Sequence, residues 1–330
     1  MKAYIAAVSS YLPKEILTNE KLANDYPDWS VDKIFAKTGI HSRHICAENE
    51  TISDMAVAAA EKLISVSQID KSEIDYVLLC TQSPDYFLPT TACLVQAKLG
   101  LPTACGALDF NLGCSGYVYG LSLAKGLIES GQASNILLIT SEAYSKYISP
   151  ADKSVRTLFG DAATATLLKG KVSPRELIGP FVFGTDGEGE KNLIVPHGGS
   201  KSPITDASYI LESDSSGNTR APKDLYMNGA EILTFTMKSV PKSVDALLDK
   251  AGLTKDAIDY VIFHQANKFM LDKLMRKTGF DDKRFLRSYE RFGNTVSSTI
   301  PLGIKEALND EKFKAGDRIL LVGFGVGYSW

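Results

Sequence analysis

"IDYVLLCTQ" at residues 74–82 returns almost unchanged as "IDYVIFHQAN" at residues 258–267. Asp75 and Asp259 stand 259 − 75 = 184 positions apart. A second pair keeps nearly the same step: "SNILLIT" (134–140) and "DRILLVG" (317–323), with 319 − 136 = 183 between two isoleucines. Between these anchors "GCSGYVYGLSLAKGLIESG" from 113 lines up with "SSTIPLGIKEALNDEK" from 297, which sets Cys114 opposite Ser298. Each "IDYV" follows a stretch with apolar residues at helical spacing and a short polar turn. Buried strands often look alike, but a constant offset across three elements points to duplication. Strand–helix alternation in both copies predicts two similar α/β units, residues 1–173 and 174–330.

The totals narrow the class. A chain of 330 residues with 44% hydrophobic and 23% charged residues is an ordinary globular protein with room for about two domains. A net charge of -3 gives no basis for nucleic-acid or membrane binding. No apolar run reaches the roughly 18 residues of a membrane span. The opening "MKAYIAAVSSYLPKE" is too short and polar-broken for a leader and reads as a first β-strand. Five cysteines (46, 80, 93, 105, 114) without a C-x-x-C pair argue against a disulfide framework or zinc site and for a reducing cytoplasm. The stretch 184–224, rich in Gly, Ser, Asp and Pro, reads as a loop excursion.

Chemistry concentrates in four segments. In "ALDFNLGCSGYVYGLSLAKGLIESG" (107–131) a short strand ends near Phe110 and a helix is expected from about Cys114 to Gly131. A thiol at a helix N-terminus meets unpaired N–H groups and the positive end of the helix dipole, both of which favour thiolate at neutral pH. The other four cysteines read as packing residues. His264 closes the second "IDYV" strand just before a helix, while His41, His44 and His197 read as structural, His44 as a local hydrogen-bonder. Asn294 lies in a Gly-Asn-Thr turn ahead of the helix that repeats the Cys114 helix; alone, it would read as a turn former. Glycines 323, 325 and 327 in "LLVGFGVGYSW" let backbone N–H groups approach a ligand. A cysteine with His and Asn from the opposite half fits acyl-thioester chemistry. Two neutral donors would stabilise an enolate, and backbone N–H groups a tetrahedral oxyanion.

"TGIHSRHI" (38–45), "GCSG", "LFGDAATA" (158–165), "HQAN", "GNTVSSTIP" and "GFGVGYSW", in this order, closely resemble the β-ketoacyl-acyl carrier protein synthase III family of the thiolase superfamily. The resemblance implies a five-layered αβαβα fold from two duplicated halves, a homodimer, and a site between the halves. It implies a ping-pong reaction in which Cys114 takes an acyl group from a thioester such as acyl-CoA, and malonyl-acyl carrier protein then loses CO2. His264 and Asn294 would stabilise the enolate, and the N–H groups of Cys114 and Val326 would form the oxyanion hole, shaped by Phe324. Lys268, Lys273, Arg276 and Lys277 would offer a basic face to an acidic carrier protein, with a solvated helix face as the plain alternative. No metal or bound cofactor is implied.

The chain also departs from the family. Lys33 replaces a tryptophan that stacks on the CoA adenine, with Trp29 one helical turn earlier, and Lys153 replaces the matching arginine. Lysine cannot stack as a guanidinium does, which leaves an acyl-carrier-protein donor open. Leu88 stands where a phenylalanine commonly limits chain length, in a segment that often reaches into the partner subunit's acyl pocket. Val326 replaces the middle glycine of the terminal loop. Rival readings are a non-decarboxylative acyltransferase, a ketosynthase for a specialised metabolite, and a catalytically silent partner subunit.

Overall fold

The computed structural model describes residues 1–330. We number the strands of the two main sheets and the helices that flank them. The first half builds a five-stranded sheet from β1 (Lys2–Tyr11), β2 (Tyr76–Cys80), β3 (Gly106–Phe110), β4 (Asn135–Glu142) and β5 (Ala162–Lys171), in the order β1-β5-β4-β2-β3. Strands β3, β2 and β4 run parallel, whereas β5 is antiparallel to both β4 and β1. The second half builds a parallel three-stranded sheet from β6 (Tyr260–Phe263), β7 (Phe285–Leu286) and β8 (Ile319–Val322), in the order β7-β6-β8.

Six helices complete the layers: α1 (Ile52–Ser67), α2 (Thr91–Leu99), α3 (Gly116–Glu129), α4 (Gly229–Ala251), α5 (Lys268–Thr278) and α6 (Thr299–Asn309). Alternate side chains of a strand face opposite sides, so each central strand feeds two cores. Val77 and Leu79 pack with Met55, Ala59 and Leu63 of α1 and Val95 of α2. Leu78, between them, points the other way, into a core with Tyr117, Leu121 and Ala124 of α3 and Ile300 and Ile304 of α6. That same core takes Ile262 of β6, which places α3 and α6 between the two sheets. Val261 and Phe263 face outward onto Phe235 and Val244 of α4 and Leu271 and Leu274 of α5. The stack is therefore helix, sheet, helix, sheet, helix, and apolar runs such as "YVLLC" suit strands buried on both faces.

The repeat recurs in hydrogen bonding. Asp75 Oδ2 accepts from the N–H groups of Ser134 (2.6 Å) and Asn135 (2.9 Å), and Asp259 Oδ2 from that of Arg318 (2.8 Å). Each aspartate pins its strand to the neighbouring one, so the acid in "IDYV" has a structural reason. The 3-10 turn Lys71–Glu73 before β2 likewise recurs as Lys255–Ala257 before β6.

The halves are not equal. Long counterparts of β1 and β5 are missing from the second sheet. In their place stand short pairings, Leu193–Ile194 with Tyr226–Met227 and Gly184–Asp186 with Tyr328–Trp330. Residues 184–224 form the expected excursion, made of 3-10 turns and two-residue strands. No helix is long and apolar enough to cross a membrane.

Candidate active site

Cys114 precedes α3 rather than opening it. The Gly116 N–H donates to the Gly113 carbonyl (2.8 Å), a tight turn that holds the cysteine two residues before the first helical position. The segment 323–327 lies directly on this turn. A Cβ added at Gly325 would sit 2.7 Å from Cys114 Cβ and 2.8 Å from its Sγ, so only glycine lets the backbone approach the sulfur this closely. The backbone N–H groups of Val326 and of Cys114 itself lie beside the thiol and favour its charged form. Ser115 and Ser329 hydroxyls, 2.7 Å apart, fasten the loop behind them.

The expectation of a thiolate at neutral pH is corrected. Cys114 is 3% exposed, and burial pushes its thiol up to about 12 despite both N–H groups. Desolvation disfavours the charged sulfur more than two backbone dipoles favour it. The Cys114 sulfur is therefore held as a thiol at neutral pH.

His264 follows β6, and its N–H donates to the Val322 carbonyl (2.8 Å). Its Nδ1 lies 2.8 Å from Thr299 Oγ1, and the edge of Phe324 abuts the ring with centroids 5.4 Å apart. Burial pulls the imidazole down to about 3, so it is neutral through the physiological range. Asn294 is held by its backbone: its N–H donates to Leu158 O (2.8 Å) and its carbonyl accepts from Gly160 N–H (3.0 Å). Its side-chain Oδ1 accepts from Val296 N–H (2.9 Å), which leaves Nδ2 as the end without a protein partner. Cys114, Val296 and Phe324 belong to one buried cluster, so the thiol, the imidazole and the Asn294 turn share a common wall. The other histidines behave as expected: His44 Nδ1 bonds Pro13 O (2.6 Å), His197 Nδ1 bonds Ser208 Oγ (2.8 Å), and His41 stacks on Phe35.

Sequence reasoning missed Glu142. This carboxyl is fully buried at the end of β4, where it accepts from Ser297 Oγ (2.8 Å), Gln82 N–H (3.0 Å) and Ser83 Oγ (3.2 Å). It thereby ties the loop after β2 to the turn that carries Asn294. Burial pushes it up to about 8, with the three hydrogen bonds opposing. The folded state thus keeps a proton that the unfolded carboxyl releases at its ordinary value near 4.5. Stability must fall as pH rises from that value through about 8. His264 acts oppositely and only below 6.5, since there the unfolded imidazole binds the proton. Urea midpoints measured from about pH 6.5 to 8.5 should therefore decline in the wild type and stay flatter in Glu142→Gln. An equal decline in both proteins would remove Glu142 as the cause.

Lys33, Lys153 and Trp29 do come together, joined by Lys37, which sequence reasoning left out. Their Nζ atoms lie 5.5 Å (Lys33), 5.2 Å (Lys37) and 5.9 Å (Lys153) from the Trp29 ring. The i, i+4, i+8 spacing of residues 29, 33 and 37 was the available signal. Lys153 also pairs with Asp28 (2.7 Å). Leu88 is not brought to Cys114 within the chain: it is 83% exposed beside Phe87, at 89%. On α5 the basic face is partly spent, because Lys268 pairs with Asp272 (2.7 Å) and Arg276 Nε donates to Asp272 O (3.1 Å). Lys273 lies over the exposed Phe269 ring, and Lys277 lines a groove with Lys238, Lys242, Met237 and Pro241.

Known proteins share this fold. Residues 108–187 match the 3-oxoacyl-[acyl-carrier-protein] synthase III family, and residues 248–330 its C-terminal family. The β-ketoacyl-[acyl-carrier-protein] synthase III of Clostridium perfringens is 35% identical over 322 residues, 97% of this chain and 94% of its own. A 2.1 Å crystal structure of a 3-oxoacyl-(acyl-carrier-protein) synthase III superposes with a TM-score of 0.99 at 51% identity, covering 100% of this chain and 98% of that one. The 3-oxoacyl-(acyl-carrier protein) synthase of Burkholderia xenovorans LB400 does so with a TM-score of 0.90 at 38% identity, covering 100% and 92%. The chain belongs to the β-ketoacyl-acyl carrier protein synthase III family, thiolase-like acyltransferases.

Proposed function

We propose that the protein condenses an acyl thioester with malonyl-acyl carrier protein, with loss of CO2, to give a 3-oxoacyl-acyl carrier protein. The observation that carries this reading is the 323–327 backbone packed against the Cys114 sulfur together with an Asn294 amide whose Nδ2 has no protein partner. In the first half-reaction the Cys114 sulfur attacks the donor carbonyl, and its proton passes to the departing donor sulfur. The tetrahedral oxyanion is held by the N–H groups of Cys114 and Val326. The donor thiol departs with a proton, leaving an acyl-cysteine. In the second, the bond to the malonyl carboxylate breaks and its electrons pass into an enolate. Its oxygen accepts from Asn294 Nδ2 and the His264 ring. The enolate carbon attacks the acyl-cysteine, and the sulfur leaves. Asn294 favours this course over plain acyl transfer, which forms no enolate.

The three ammonium groups around Trp29 against a single carboxylate favour a phosphate-bearing donor such as CoA. Lys273 and Lys277 suit an acidic carrier protein. We take the protein to act as a homodimer: β3 is an edge strand with Leu108 exposed at its centre, and Tyr86, Phe87 and Leu88 are exposed too. An unpaired apolar edge invites pairing with a second copy. Five free cysteines suit a cytoplasmic setting.

The test is incubation with labelled acyl-CoA or acyl-carrier protein, a search for a Cys114 adduct by mass spectrometry, then addition of malonyl-carrier protein. Adduct formation, lost in Cys114→Ala, followed by CO2 release is expected. An adduct without CO2 would favour plain acyl transfer, and no adduct with any donor a silent partner subunit.

A further inference from the structure

One turn, residues 294–299, touches both groups that receive the enolate. The Val296 N–H donates to Asn294 Oδ1 at 2.9 Å, and this bond alone decides which end of that amide is free. The Val296 carbonyl accepts from the backbone N–H of Thr299, the first residue of α6. The Thr299 hydroxyl is 3.0 Å from the same carbonyl but only 2.8 Å from His264 Nδ1. Val296 reaches both neighbours because its backbone is left-handed (φ 56°), an unusual state for a β-branched residue. Val296, Thr299 and His264 are all buried, so water does not supply a missing partner cheaply.

A neutral imidazole has one N–H and one lone pair, and the hydrogen bond at one nitrogen decides what the other presents. A hydroxyl has one proton to give. If it goes to Val296 O, Nδ1 must carry hydrogen to donate to Thr299, and Nε2 is a bare acceptor. If it goes to Nδ1, Nε2 carries the hydrogen and is a donor. The Val296 carbonyl also reaches the His264 ring, but it already has the Thr299 N–H, whereas Thr299 Oγ1 is the one side-chain partner of Nδ1 and lies closer to it (2.8 Å) than to the carbonyl (3.0 Å). We infer that Thr299 is a positioning residue whose hydroxyl donates to His264 Nδ1 and so holds the ring with hydrogen on Nε2, matched to the Asn294 amide as a second neutral donor. This rests on the condensation reading above and gives the His264 donor its cause. It also means that the resting imidazole does not serve as base for the Cys114 thiol.

The test compares Thr299→Val, which keeps the shape without the hydroxyl, with Thr299→Ser, which restores it. In Thr299→Val the nearby Val296 carbonyl can attract an Nδ1 hydrogen, leaving Nε2 bare. Malonyl-carrier-protein decarboxylation and condensation should fall about 100-fold, the usual cost of losing one such donor. Acylation of Cys114 should stay within about threefold, and Thr299→Ser should recover most of the loss. Nitrogen-15 NMR of histidine-labelled protein, assigned with His264→Asn, should show a lone-pair Nδ1 and a hydrogen-bearing Nε2 in the wild type, reversed in Thr299→Val. A hydrogen-bearing Nδ1 in the wild type would overturn the inference, as would equal losses of acylation and decarboxylation in Thr299→Val. If the wild type forms no acyl-cysteine or releases no CO2, the condensation reading fails instead, while the NMR assignment still decides the role of Thr299.

Discussion

Gly325→Ala is expected to lower both acylation of Cys114 and condensation by at least about 100-fold, with little change in overall fold. The added Cβ would lie 2.7 Å from Cys114 Cβ and 2.8 Å from its Sγ, closer than real Cβ atoms approach others. Rotating the thiol moves Sγ but not Cβ, so something in the site must shift. If the loop lifts, the Val326 N–H leaves the sulfur; if the thiol rotates, it leaves both N–H groups. Gly325 has no left-handed backbone, so the loss comes from contact and not from backbone strain. Adduct formation timed by mass spectrometry, with a thermal melt as the folding control, checks it. This variant should slow the first half-reaction, which Thr299→Val leaves nearly untouched, and the contrast separates oxyanion donors from enolate donors. Acylation at full speed in Gly325→Ala would remove the Val326 N–H from the reaction.

Arg43→Ala should cost about 3 kcal/mol of stability, measured by urea unfolding. Arg43 is fully buried, and it faces no carboxylate. Nη1 donates to Asn19 Oδ1 (2.7 Å) and Leu17 O (3.4 Å), and Nη2 to Thr157 O (2.6 Å). Burial lowers its pKa to about 10, which still leaves it charged at neutral pH. Truncation opens a cavity and strands buried acceptors, while relief of the desolvated charge offsets part of the loss. Alanine keeps the Cβ against which Gly160 and Gly293 pack, so the Gly160 N–H should still hold the Asn294 carbonyl and the loss should fall on stability. A loss below about 1 kcal/mol would mean that desolvating the lone cation cancels its contacts.

The repeated "IDYV" phrase made the duplication legible because its aspartate does the same job twice, and such a job leaves the same residue at the same place. The three central segments were legible for a related reason: a thiol, a ring and an amide each sit at a strand or helix end, where sequence punctuation is strongest. The thiol's protonation was not, because it depends on how much water the folded chain excludes. Glu142 was hidden as a single acid at the end of an apolar strand, whose partners come from residues 82, 83 and 297. The left-handed Val296 was equally hidden, since local propensity argues against it and only the packed turn enforces it. The truncated second sheet escaped notice because apolar spacing marks strands that exist and is silent about partners that do not.

The pairing of β1 with β5, Lys2 against Lys171, sets a schedule for biosynthesis. Strand β1 leaves the ribosome well before its sheet partner, which exists only once residue 171 has been made. At translation rates of about 5–20 residues per second, that is a delay on the order of ten seconds. Through that interval "KAYIAAVSSY" is an unsatisfied ribbon, and a nascent chain that stalls there is a client for chaperones. Cys114 is translated earlier than the 323–327 loop that packs on it, so unfinished polypeptides carry this thiol without its cover.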